Sequence, residues 1–253
     1  MTDKITTNPV SWKRLLIFFI IATAVSNLFR FDVFNIHPAI LKLPAWLSIL
    51  VFALLHPSGV LLGTFIVMPF LRKERRVEMS LFGTSKQKSL LMCAIPIVLL
   101  TAIGVNNDYK LENHIYAFVA IIGTIVYCIE EEYGWREYLQ EELKGLKPWA
   151  KYLIIGCLWY VWHLSFVHDR SIVHNLTFLS LLIFGSWGIG KIAETTKSVL
   201  ASACFHLIVQ IMMLNSLFRH SPDKTTKFVI FVVCVGAWFM IFFKWNKTRS
   251  TSN

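Results

Sequence analysis

The chain has 253 residues, of which 55% are hydrophobic and only 16% charged, and it carries 20 Phe and 9 Trp. With a mean hydropathy of +0.57, this excludes an ordinary soluble domain and points to an all-α, polytopic membrane helical bundle. The formal net charge of +10 is read as basic loops in contact with anionic membrane lipid. No nucleic-acid partner is expected, because no basic, aromatic-interleaved soluble region is present to hold one.

A membrane-spanning helix needs roughly 20 mainly apolar residues. Breaking the chain at its charged, Pro and Gly clusters gives about eight such segments, at 13–29, 45–71, 89–105, 114–135, 149–167, 176–193, 198–217 and 227–244. The first apolar run, Leu15 to Phe29, is followed by Arg30-Phe31-Asp32 rather than a small-residue cleavage site, so it reads as a retained span. The second is expected to be long and kinked, since His56-Pro57 and Pro69 interrupt it and a proline inside a helix removes a hydrogen bond.

With both termini on the cytoplasmic side, only Arg30, Lys42, Lys110, Arg170, Arg219, Lys224 and Lys227 of the 25 basic residues fall on the opposite face. That asymmetry follows the enrichment of Lys and Arg in cytoplasmic loops and places the N- and C-termini there. The five cysteines, Cys93, Cys128, Cys157, Cys204 and Cys234, all fall inside predicted spans without a C-x-x-C pair, so neither a disulfide framework nor a thiolate zinc site is indicated. Residues 1–253 read as one transmembrane domain.

Polar groups at membrane depth carry the functional signal, because an ionisable residue costs at least about 2.5 kcal/mol there. The fourth segment ends in Glu130-Glu131-Glu132-Tyr133-Gly134-Trp135-Arg136, the fifth carries Trp159-x-x-x-His163, and the seventh His206-x-x-x-Gln210. Gly145-Leu146-Lys147-Pro148 reads as a helix stop and restart, making the fourth and fifth segments a tight hairpin. Counted from Leu146, Glu131 and His163 then lie within about 3 Å of one another in height. Ser198 is a candidate N-cap, placing His206 about 12 Å deeper by the helical rise. Glu132 and Arg136 are i,i+4 neighbours that can pair, which leaves Glu131 to point elsewhere. A carboxylate and an imidazole in a low-dielectric recess are suited to activating water, and a second imidazole with a carboxamide can stabilise an oxyanion.

These ordered motifs, Glu131-Glu132-x-x-x-Arg136, then Trp159-x-x-x-His163, then His206-x-x-x-Gln210, resemble those of the CPBP (Abi) intramembrane proteases, which include the type II CAAX prenyl endopeptidases. The resemblance covers roughly 115–215 as the core motif region. It implies an intramembrane endopeptidase in which Glu131 is the general base, His163 its partner on the water, and His206 and Gln210 the oxyanion donors, with Glu132 and Arg136 as a supporting ion pair. The implied substrate is a membrane-embedded peptide or protein, prenylated or related to a pheromone or bacteriocin, cleaved near the cytoplasmic face of a cell membrane. The composition looks bacterial.

Two departures from the family pattern stand out. Gln210 replaces the usual Asn, and Trp159 replaces Phe. Gln210 motivates an alternative in which the chain is a weakly active or non-catalytic member, acting as a bacteriocin immunity protein or a membrane scaffold. Glu131, His163 and His206 could also form a zinc site. The absence of H-E-x-x-H argues for direct activation of water with no cofactor. Among the remaining polar and aromatic groups, Glu130 is expected to snorkel to water, Glu137 to be exposed, His56 to support the kink, Trp135, Trp159 and Trp162 to pack, and Arg72 to Arg76 to meet lipid headgroups.

Overall fold

Ser11 accepts a hydrogen bond from the Arg14 amide and opens the first helix, α1 (Trp12–Arg30). In this computed structural model the described residues are 9–164, 171–219 and 221–250, with the side chains of 214, 244 and 246–250 also left aside; Lys4 and Arg170 lie outside them. After the one-turn α2 (His37–Ile40), α3 (Ala45–Leu55) and α4 (Ser58–Glu74) meet at His56-Pro57 with a bend of 42°. The proline, which has no amide to continue the ladder, falls where the kink is predicted.

The helix α5 (Lys86–Ile103) is capped by Ser85, and α6 (Asn113–Glu142) runs on through a π-helical segment, Tyr133–Leu139. Pro148 opens α7 (Pro148–His163) at its first turn, so the expected hairpin forms around Leu146. α8 covers Ile172–Thr196. Ser198 then caps α9 (Val199–Val209), its hydroxyl accepting from the Ala201 amide at 3.0 Å, and a second π-helical segment, Gln210–Leu214, follows. The last helix is α10 (Lys224–Ser250).

Each of the eight expected segments contains a helix, with 165–167 of the fifth outside the described residues. Five of them, α1, α5, α6, α8 and α10, are long and apolar enough to cross a membrane, and the bent α3–α4 pair makes a sixth. α7 has 16 residues and the α-helical part of α9 has 11, both shorter than the roughly 20 that a spanning helix needs. These two short helices carry His163 and His206.

Close approaches set the packing of α1 on α4. A Cβ on Gly59 would lie 2.5 Å from the Ala22 carbonyl oxygen, and one on Gly63 would lie 3.0 Å from that of Phe18. This is the small-x-x-x-small spacing that lets membrane helices touch backbone to backbone. Two apolar cores result. One gathers Met92, Leu100, Ile121 and Trp238 around α5, α6, α9 and α10; the other gathers Phe18, Trp135, Tyr138 and Trp162 around α1, α4, α7 and the π segment of α6. Tyr127 on α6 and Phe205 on α9 pack against both cores, so the acidic motif and His206 sit where the cores join.

One end of the bundle is latched. The chain near Ser80 pairs with the start of α9: the Ser80 amide donates to the Lys197 carbonyl and the Val199 amide to that of Ser80, each at 3.0 Å. Arg14 binds Glu142 at 2.5 Å and Glu74 at 2.8 Å, and Lys151 binds Glu194 at 2.5 Å. Arg72 pairs with Glu137 at 2.8 Å and Arg75 donates to the Glu141 carbonyl at 3.0 Å, contacts within the protein in addition to the expected meeting with lipid headgroups. One expectation is corrected here. Glu137, far from being exposed, is 2% accessible, because the π segment turns it toward α4.

Candidate active site

Glu131 lies near the inner end of the α-helical part of α6 with no exposed surface. Its Oε2 accepts two indole N–H groups, from Trp159 at 2.7 Å and from Trp135 at 3.1 Å. Its Oε1 accepts no hydrogen bond among the described residues, although the charge of Glu131 is close enough to act on Tyr127 and Arg30. One carboxylate oxygen is thus fixed by two rigid donors while the other is left to meet a further group. Both tryptophans, expected only to pack, are donors to the acid. Their spacing carried a signal, since Trp135 is i+4 from Glu131.

Glu132 does what its spacing predicts. Its Oε2 accepts from Arg136 Nε at 2.7 Å with both side chains wholly buried, and Arg136 also donates to the Ser186 carbonyl of α8 at 3.2 Å. Glu132 Oε1 lies 3.0 Å from His206 Nδ1, an ion-pair contact when the imidazole is protonated. Gln210 places its carboxamide nitrogen 3.3 Å from His206 Nε2, so the i,i+4 pair shares one face as expected. A π-helical segment begins directly after Glu132 and another at Gln210; such widened turns recur at functional sites.

His163 ends α7 and is 5% accessible. Its Nδ1 lies 2.8 Å from the Trp159 carbonyl oxygen. A carbonyl can only accept, so Nδ1 carries the proton and Nε2 of the neutral ring is an acceptor. The Trp159 ring packs edge-on against both imidazoles, its centroid 5.7 Å from that of His163 and 5.0 Å from that of His206. Trp159 links Glu131 and His163, donating its indole N–H to the first and accepting at its carbonyl from the second.

A cavity of about 750 Å³ lies against this layer, and both His163 and Gln210 line it, together with Tyr127 and Thr124 of α6 and His56 just after α3. Glu131 and His206 are one contact behind its wall. His56, expected only to support the kink, is part of the cavity. Arg30 was not anticipated at all: it donates to the Trp162 carbonyl at 2.9 Å and lies 3.6 Å from the centroid of that indole. Nothing short-range could have shown it, since the two residues are 132 positions apart. Glu130 is 6% accessible and does not snorkel, because the helix continues as protein-packed π turns well past it.

Residues 113–212 match the family described as Rce1-like, type II CAAX prenyl endopeptidase. This segment belongs to that family. No curated protein matches the chain. The matched segment, 100 of the 253 residues, holds every residue of the three motifs, from Glu131 to Gln210. The Rce1-like family is a protease family that acts within membranes, in keeping with the apolar helices here.

Of the suggested zinc ligands, Glu131 gives Oε2 to two indole N–H groups and His163 gives Nδ1 to a carbonyl, an arrangement that a metal-bound imidazole also shows. Among the described residues no three His, Cys, Asp or Glu side chains come together as a metal-binding group.

Proposed function

We propose that the chain is an intramembrane endopeptidase that hydrolyses a peptide bond of a membrane-associated peptide or protein, using water activated by Glu131 and His163. The observation that carries this reading is the Trp159 bridge, which orients Glu131 through its indole and His163 through its carbonyl beside one cavity. Glu131 Oε1 takes a proton from water as the water oxygen bonds to the scissile carbonyl carbon, and His163 Nε2 accepts a hydrogen bond that holds that water. The carbonyl electrons move onto oxygen, where Gln210 and His206 face the negative charge. The tetrahedral species collapses, the C–N bond breaks, and Glu131 returns its proton to the leaving amine, so the carboxylate ends as it began.

Glu132 and Arg136 act behind the reacting groups. Their buried pair fixes the π segment that carries Trp135, and Glu132 holds His206 by the 3.0 Å contact. The surroundings are a cell membrane and its lipid, and no metal takes part in any step. A comparison of small membrane peptides in cells carrying wild type or Glu131→Ala tests the proposal. A precursor that accumulates only with Glu131→Ala supports it and identifies the substrate; identical peptide sets contradict it and favour an immunity or scaffold role.

A further inference from the structure

The exposed residues that line the cavity gather at one end of the bundle. Its rim is made by His37 before α3, Tyr109 before α6, and Ser216 and Arg219 after α9, while His163 and Gln210 form its deeper part. In chain order these rim segments all lie at the same end: where α1, α5 and α9 finish and where α3 and α6 begin. The other end is the latched one. There Arg14, Glu74 and Glu142, then Arg72 and Glu137, then Lys151 and Glu194, tie helices together, and the chain at Ser80 is hydrogen-bonded to the start of α9.

Charge assigns the two faces. Of the described basic residues, six fall toward the rim end by their place in the chain and 17 toward the latched end, and an excess of Lys and Arg marks the cytoplasmic side. Resting on the protease reading above, we infer that substrate enters this site from the extracytoplasmic side. The sequence reading expects cleavage near the cytoplasmic face; with the same orientation, the rim of the cavity lies at the opposite end. The occupant that fits is an apolar peptide segment of a secreted peptide or of one anchored in the outer leaflet. Ile49, Phe52, Phe178 and Leu217 supply apolar wall, and the volume of about 750 Å³ is within the range of pockets that enclose a compact ligand. A prenylated tail presented from the cytoplasm would meet the ion-paired face.

Single cysteines read the faces directly. Ser216→Cys and Asp108→Cys place a thiol on the rim face, and Lys86→Cys places one on the latched face; all three positions are exposed. A membrane-impermeant maleimide applied to spheroplasts labels the first two and reaches Lys86→Cys only after lysis. Labelling of Lys86→Cys in sealed spheroplasts, with Ser216→Cys and Asp108→Cys reached only after lysis, overturns the inference, as does equal labelling of both faces. The labelling does not depend on proteolysis. Reversed labelling with an active enzyme removes the entry side alone, and the stated labelling with no cleavage removes the protease reading alone.

Discussion

Trp159 donates its indole N–H to Glu131 at 2.7 Å while its own carbonyl accepts from His163 at 2.8 Å. A single residue thereby orients both halves of the proposed water-activating pair. A hydrogen bond to a buried charge is worth about 1.5–3 kcal/mol. Trp159→Phe, which keeps an aromatic ring and removes the donor, is predicted to lower stability in detergent by about that amount. Trp159→Phe with Trp135→Phe removes both donors to Oε2 and is predicted to cost more than the sum of the single changes. Thermal unfolding of the three variants checks this; additive losses below 0.5 kcal/mol, taken as about the error of such comparisons, would count against the bridge.

Breaking the Glu132–Arg136 pair leaves one charge buried without its partner, a loss of about 3–5 kcal/mol. Arg136→Met is predicted to unfold at much lower temperature than wild type, and Glu132→Gln with Arg136→Met to regain most of that loss because no lone charge remains. Equal destabilisation of the single and double variants would show that the pair is not what holds the π segment.

Much of this site was legible because it rests on local spacing. Glu132 with Arg136, His206 with Gln210 and the Ser198 cap are relations within one helix, where a four-residue step or a cap position decides the contact. The hairpin at Leu146 was legible for a similar reason, since Gly and Pro mark the stop and restart. Contacts between distant segments were not. Arg30 beneath Trp162, Arg72 on Glu137 and the burial of Glu130 depend on which helices become neighbours, and no periodicity in one segment states that. The π segments were missed as well, because their widened turns come from tertiary packing and have no simple residue signature.

Gln210 is where the family motif and the structure lead to different predictions. The motif suggests that Asn at this position would keep or raise activity. Here the longer side chain reaches His206 at 3.3 Å from the start of a π-helical segment, and Asn would withdraw the carboxamide by the length of one methylene. A displacement of about 1 Å can cost roughly a hundredfold in rate, so Gln210→Asn is predicted to lower kcat by tenfold to a hundredfold, about 1.4–2.7 kcal/mol, with little change in KM. Retained or increased kcat would mean that the carboxamide does not act from its present position.

Direct activation of water predicts indifference to chelators. Purified protein dialysed against a strong chelator should cleave its substrate at an unchanged rate, and added zinc should have no effect. Loss of activity with recovery on zinc would make Glu131, His163 and His206 metal ligands, contrary to the roles given them here.

The central claim is that Glu131 moves the proton. The most direct measurement is cleavage of the accumulated precursor by purified wild type and Glu131→Gln, compared at equal amounts of folded protein. Gln keeps the shape and still accepts from both tryptophans, but it cannot take a proton. A loss of about 10²- to 10⁴-fold in kcat, the range that general acid–base catalysis contributes, is predicted with the unfolding temperature nearly unchanged. Cleavage by Glu131→Gln at close to the wild-type rate would contradict the account.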